Sequence, residues 1–253
     1  MLRIRKGGEI RSVEEWFAHA PPKRGLRHWA DGRSAKELAK AWFPAAGDPQ
    51  MPSELTSLLE SRQDTRGIVF EEGEPERVTA FDGCGGEGRN ADLVLWGQGP
   101  RGKVLAGMEA KADETFGAIA GEHVRQSAAH KPPSRVPERF ALLCRGVLGV
   151  GPDDENARAL RYQLLTAVAG ALVDAQGCDA EMTLFIVHEF IGMTDNRLVD
   201  ANAADLDRFV KLLSRGSTES IRPGTLAGPF EVPGNEHFAG TKRLFIGKCR
   251  RCV

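Results

Sequence analysis

The sequence predicts an α/β protein, and three observations predict it. Two apolar runs, 91–96 and 103–111, flank Gln98-Gly99-Pro100-Arg101-Gly102, a turn signal that makes them a β-hairpin. Helix-opening signatures stand at the head of 12–20, 34–43 and 53–64, each carrying apolar residues at helical spacing. A helix over 155–175, apolar almost all round from Leu164 onward, precedes 181–190, a short apolar run with β-branched and aromatic residues that reads as a central strand.

Taken in order, Ser12 with Glu15 and Ser34 with Glu37 have capping-box spacing and open the first two helices. The loop between them is basic and aromatic, with Lys23, Arg24, Arg27, His28, Trp29 and Arg33. Pro52-Ser53 opens the third helix, whose stripe is Leu55, Leu58 and Leu59 and whose first turn holds Glu54. Residues 67–81 place apolar β-formers around a polar EEGEPER stretch, which predicts a strand pair. In the hairpin, Val104, Ala106, Met108 and Ala110 alternate onto an apolar face, and Gly107, Glu109 and Lys111 onto the other. Folding about Gly99 or Pro100 sets Asp92 roughly opposite Gly107 to Glu109, where cross-strand neighbours sit about 5 Å apart.

Asp113 then caps a helix predicted to run to the Lys131-Pro132-Pro133 stop, and a short helix follows Pro137. Asp153 or Asp154 starts the long helix, with Arg161 and Gln163 just ahead of its buried half. Asn202 caps a further helix, and from Pro223 the tail reads as loops around short strands at 230–232 and 244–247. With no repeat or linker, the chain divides only as one domain: a helical extension (1–52), a core (53–190) and a C-terminal helix and tail (191–253).

Composition narrows the function classes. The 253 residues are 41% hydrophobic and 27% charged, ordinary for a globular chain. No run approaches 18 apolar residues, and the N-terminus lacks a signal peptide's apolar region, so a cytoplasmic, non-membrane protein is expected. The formal charge of −1 gives no global attraction to nucleic acid, leaving that role to local basic patches. Five cysteines, an odd and scattered set, suit reduced thiols rather than a disulfide framework.

The chemistry concentrates in the hairpin. Asp92, Glu109 and Lys111 put two carboxylates and an ammonium on one patch, a place to hold a hard divalent cation and a water. Glu109-Ala110-Lys111 is the chain's single acidic-x-Lys triplet. Its place at the end of an apolar strand, within the order helix, three strands, helix, strand from Ser53 to Phe190, resembles the αβββαβ core and mixed central sheet of the PD-(D/E)XK nuclease superfamily, the restriction-endonuclease-like fold. Asn90-Ala91 stands where that family usually has proline. The resemblance implies Mg²⁺- or Mn²⁺-dependent hydrolysis of a nucleic-acid phosphodiester, with DNA the first candidate. It implies Asp92 and Glu109 as metal ligands, joined by the Ala110 carbonyl, and Lys111 as the group that positions the attacking water. Glu54 matches the family's first-helix acid, either a ligand or a first-turn glutamate favoured by the helix dipole. Gln163 matches a glutamine near the phosphate or the lysine, or is a buried glutamine tying down backbone. Two alternatives compete: a catalytically silent nucleic-acid-binding or protein-interaction module on this fold, and an unrelated scaffold in which the triad is dispersed.

Other motifs are weaker. Gly83 to Gly88 matches G-x-G-x-x-G but precedes a strand rather than a helix, which argues against a dinucleotide loop. Cys249-x-x-Cys252 lacks the second pair of ligands that a structural zinc needs, and His188 reads as a core histidine. Trp16, Trp29 and Trp42 read as core anchors. Cations gather toward the ends: Arg3, Arg5 and Lys6; Lys23, Arg24 and Arg27; Lys242, Arg243, Lys248, Arg250 and Arg251. Of these, Arg24, Arg27, Lys242 and Arg243 are the expected nucleic-acid contacts, and cutting two strands would favour a homodimer.

Overall fold

The computed structural model describes residues 1–253 except 24, 86–87, 130–133 and 193–196, and the side chain of Lys242. It is α/β, built on one eight-stranded mixed sheet. In chain order the elements are β1 (Arg3–Arg5), β2 (Glu9–Ile10), α1 (Val13–His19), α2 (Ser34–Trp42), α3 (Ser53–Glu60), β3 (Val69–Thr79), β4 (Arg89–Gly99) and β5 (Gly102–Lys111). There follow α4 (Ala120–Ala128), α5 (Val136–Leu143), α6 (Glu155–Arg158), α7 (Tyr162–Gly177), β6 (Met182–Ile191), α8 (Arg197–Leu213), β7 (Thr225–Gly234) and β8 (Ala239–Cys252). The strand order is β2-β1-β3-β4-β5-β6-β8-β7, with β5, β6 and β8 mutually parallel and β3, β4 and β5 antiparallel. Among the described residues no helix is long and apolar enough to cross a membrane.

Two apolar layers sandwich the sheet. Trp16, Trp42, Leu55 and Leu58 from α1–α3 cover one face, meeting Ala106, Met108 and Ala110 of β5 and Leu184 and Ile186 of β6. On the other face α7 and α8 bring Leu164, Val168, Leu206 and Phe209 against Phe185, Val187 and Ile246. The period-2 reading of β5 therefore holds: Val104, Ala106, Met108 and Ala110 face α1–α3, and Leu105, Glu109 and Lys111 face α7. Gly107 lies under α7 so closely that a Cβ on it would stand 3.1 Å from Ala171 Cβ.

Several boundaries differ from the sequence expectation, each for a tertiary reason. Residues 67–81 form one strand, not two, because β3 pairs with β4 from Val69 to Thr79 and absorbs its irregularity as a bulge between Phe70 and Glu72. Its polar side chains are taken up by ion pairs: Glu72 with Arg5, and Arg77 with both Glu74 and Asp174. The helix predicted from Asp113 begins only at Ala120, after Gly117 at φ +72°. The long helix is broken between α6 and α7, where Arg161 is extended and bridges Ile119. Asn202 does not cap a helix. It lies inside α8, buried, and donates to the Glu114 carbonyl. Ser34 makes no capping bond either, its hydroxyl going to Glu114. The two ends of the chain join the sheet: β1 and β2 extend one side, and β8 lies between β6 and β7 on the other.

Candidate active site

The hairpin sets the first two groups. Leu93 pairs with Met108, so Asp92 and Glu109 follow on adjacent strands. Asp92 Oδ2 accepts a hydrogen bond from the Ala110 backbone N–H at 2.7 Å, which fixes the carboxylate beside Glu109. Close approach of α7 to β5 at Gly107 brings Gln163, in the first turn of α7, over the same place. Gln163 Nε2 donates to Glu109 Oε1 at 2.7 Å. Lys111 Nζ donates to that same oxygen at 2.7 Å, sits 3.9 Å from Glu114 and lies 5.3 Å from the centre of the Phe116 ring.

Two further groups complete the cluster, and sequence reasoning missed both. Arg89 of β4 donates through Nη2 to Glu109 Oε2 and through Nη1 to the Asn90 carbonyl. Its stem runs under Gly170 of α7, where a Cβ would stand 3.1 Å from Arg89 Cγ. Glu76 of β3 accepts from Asn90 Nδ2 and has φ +49°, a left-handed conformation rare for a non-glycine residue. Such conformations persist where surrounding structure enforces them. Ala91 and Val94, three residues apart, both pack by Ala171, so the strict alternation of β4 slips between them. That slip lies opposite Glu76, between the Pro75–Leu93 and Arg77–Ala91 pairs. It turns Arg89 toward α7, and no period-2 reading of the sequence contains it.

Charge is concentrated here. Glu76, Asp92 and Glu109 face Arg89 and Lys111 in a largely buried setting. Burial, then the charges of Glu109 and Glu76, push the Asp92 carboxyl well above the usual aspartate range. Burial also works against the Glu109 carboxylate, but Arg89 and Lys111 outweigh it and hold its pKa below normal. For Lys111 burial is overcome by Glu109, Asp92 and Glu114, so its pKa lies above that of an ordinary lysine and the ammonium stays charged. Glu76 is raised, chiefly by burial.

The cluster forms the floor of a cleft of about 530 Å³. Glu76, Asp92, Glu109, Lys111 and Gln163 line it, and Lys23 and His28 reach it from the basic loop between α1 and α2. Among the described residues no three acidic, imidazole or thiol groups are gathered as a ready metal cage. Asp92 and Glu109 are the two adjacent carboxylates here that could hold a hard cation of the Mg²⁺ kind. Such ions are held through one or two carboxylates, with waters and substrate phosphate filling the other positions.

The other sequence candidates are placed elsewhere. Glu54 does not join the site. It lies on the opposite face of the sheet, where α3 packs on β8, paired with Arg251 at 2.7 and 3.0 Å and with His188 Nε2 at 2.8 Å. Burial opposes its charge, but those two partners bring its pKa to about 2. Burial keeps His188 below its ordinary value, hence neutral near pH 7, so the charge partner of Glu54 is Arg251. Ala110 meets the site through its N–H. Arg27 is exposed, and neither it nor Arg243 lines the cleft. Arg24 and the Lys242 side chain lie outside the described residues. Lys248 and Arg250 pair with Glu189, so much of the C-terminal basic cluster is spent within the fold. Glu114 also lines the cleft. Trp16 and Trp42 are buried core residues as expected, and Trp29 packs against Phe17. Cys249 and Cys252 occupy positions of β8 three apart, which point to opposite faces and do not share a metal.

Comparison with curated proteins finds no match, and comparison with solved structures finds none. The family comparison does match, over residues 9–250. The chain belongs to the family described as a domain of unknown function, DUF6946.

Proposed function

We propose that this protein is a divalent-cation-dependent phosphodiesterase acting on nucleic acid, with DNA as its first candidate substrate. One observation carries the reading: the hairpin and α7 bring Glu109, Lys111 and Gln163 into one hydrogen-bonded cluster at the floor of a cleft, with Asp92 held beside it by the Ala110 N–H. The order α3, β3, β4, β5, α7, β6, with α4–α6 inserted between β5 and α7 and β5 parallel to β6, supports the likeness to a restriction-endonuclease-like core.

In this reading Asp92 and Glu109 hold Mg²⁺ or Mn²⁺. When bound, the cation supplies Lewis acidity toward a phosphoryl oxygen and lowers the pKa of a water. The protein's own groups do the rest. Lys111, kept charged by three carboxylates, donates to a non-bridging phosphate oxygen or to the attacking water and is not a proton acceptor. Gln163 fixes the Glu109 carboxylate and, with Lys111, holds its Oε1 in one orientation. The rim, where Lys23 supplies a cation and His28 a hydrogen-bonding ring, meets the polynucleotide backbone, since phosphate contacts supply most non-specific affinity. A silent binding module is the second reading. It is favoured by Glu109 itself, whose two oxygens are already engaged by Arg89, Lys111 and Gln163.

The test is incubation of plasmid, single-stranded DNA and RNA with the protein and Mg²⁺ or Mn²⁺, beside Glu109→Ala and Lys111→Ala. Cleavage lost in both variants and on chelation is the expected result. Failure of the wild type to cut any of them, together with no Mn²⁺ binding by calorimetry, would refute the enzyme reading.

A further inference from the structure

We propose that Arg89 is a displaceable counter-ion for Glu109, so that divalent cation and nucleic-acid phosphate bind this site cooperatively. The inference rests on the function proposed above and adds to it a regulation of the same site.

The geometry argues it in two steps. First, Arg89 occupies Glu109 Oε2, one of the oxygens a metal would use, and Lys111 and Gln163 occupy the other. The cation must compete with a guanidinium, and Arg89 is the partner that can leave. Lys111 is buried and hemmed by Glu109, Glu114 and the Phe116 ring. The Arg89 side chain is 11% exposed against 5% for Lys111, and its Nε is buried without a hydrogen-bond partner. Second, the guanidinium has an alternative partner of equal quality. A phosphate diester accepts the same bidentate, charge-assisted pair as a carboxylate. A strand in the cleft would draw Arg89 off Glu109 and free that carboxylate.

The acidic set reinforces this. Where one or two carboxylates hold such a cation, a substrate phosphate oxygen can take a position otherwise left to water. Phosphate thus does two things that favour metal: it removes the competitor and adds a ligand. Linkage makes the effect reciprocal, so metal strengthens nucleic-acid binding by the same factor. A free protein holding Arg89 on Glu109 is accordingly weak for metal, which keeps hydrolytic machinery unassembled until substrate arrives.

Calorimetry with Mn²⁺ tests this without relying on turnover. Wild type and Arg89→Met are titrated with and without a short phosphorothioate DNA duplex, which resists cleavage, after subtraction of Mn²⁺ binding to the duplex alone. Wild type should bind Mn²⁺ at least about fivefold more tightly with DNA, within the usual range of allosteric coupling. Arg89→Met should bind Mn²⁺ without DNA more tightly than wild type does, and DNA should then add less. If Arg89→Met does not melt cooperatively, Arg89→Gln, which still donates to Glu109 without a charge, carries the same comparison. Mn²⁺ binding that Asp92→Asn abolishes but that the Arg89 variants leave unchanged or weaken would overturn the counter-ion role and leave the nuclease reading standing. No Mn²⁺ binding by any of these proteins, with or without DNA, would overturn both.

Discussion

Replacing Gly107 by alanine tests the contact that brings α7 to the site. The new methyl would sit 3.1 Å from Ala171 Cβ, whereas apolar carbons rest about 3.5–4.0 Å apart. Strand and helix must therefore separate by about 0.4–0.9 Å. Gln163 lies on the same helix and Glu109 two residues along the same strand, so a rigid shift would stretch their 2.7 Å hydrogen bond to about 3.1–3.6 Å, the edge of what still counts as one. Overpacking of this kind costs about 1–3 kcal/mol. For a chain of this size that lowers Tm by roughly 2–12 °C, at about 2–4 °C per kcal/mol. A misplacement approaching 1 Å costs about a hundredfold in rate at a catalytic site, so cleavage should fall by tenfold or more at the shift expected here. Differential scanning calorimetry reads the first effect, and the cleavage assay the second. Ala171→Gly supplies the control: alone it costs about 0.5–1 kcal/mol as a helix glycine, but it restores the space. The double variant should be less destabilised than the sum of the singles, a favourable coupling that only direct contact produces. A Gly107→Ala protein that melts and cuts like wild type, or a cycle with no coupling, would refute the idea that this approach positions Gln163.

Two further outcomes follow from the same structure. Glu54 has its pKa depressed from 4.5 to about 2, so its pairing stabilises the folded protein above the ordinary glutamate value and is lost as pH falls from about 4.5 toward 2. Discounted for partial exposure, the contribution is about 1–2 kcal/mol. Glu54→Gln should be less stable than wild type by that amount at neutral pH in urea melts, the gap closing near pH 2, and a gap independent of pH would count against the Arg251 pair. Thiol labelling at neutral pH should modify exposed Cys252 quickly. Cys144, which burial pushes up to about 12, and buried Cys249, pushed up for the same reason, should label only after unfolding. Mass spectrometry that finds Cys249 labelled as fast as Cys252 in the native protein would contradict the packing of β8 against α3.

The sequence by itself determined the hairpin, because a Gly-Pro turn between two apolar runs admits few other structures, and period-2 alternation then sorts side chains between faces. It thereby determined that Asp92, Glu109 and Lys111 converge, since that needs only local register. Gln163 came only through the family resemblance, from its place just ahead of the buried half of the long helix. What only the tertiary structure decided depends on contacts between distant segments. The polar stretch 71–77 looked like a turn because its charges had no visible partners; Arg5, Asp174 and β4 supply them and keep the strand continuous. Glu54 had the right place in its helix, yet α3 packs on the far face, where Arg251, 197 residues later, claims it. Arg89 is the clearest case. Its reach to Glu109 needs a slip in β4, a left-handed Glu76 on β3 and a glycine on α7, three conditions from three segments that no local pattern encodes.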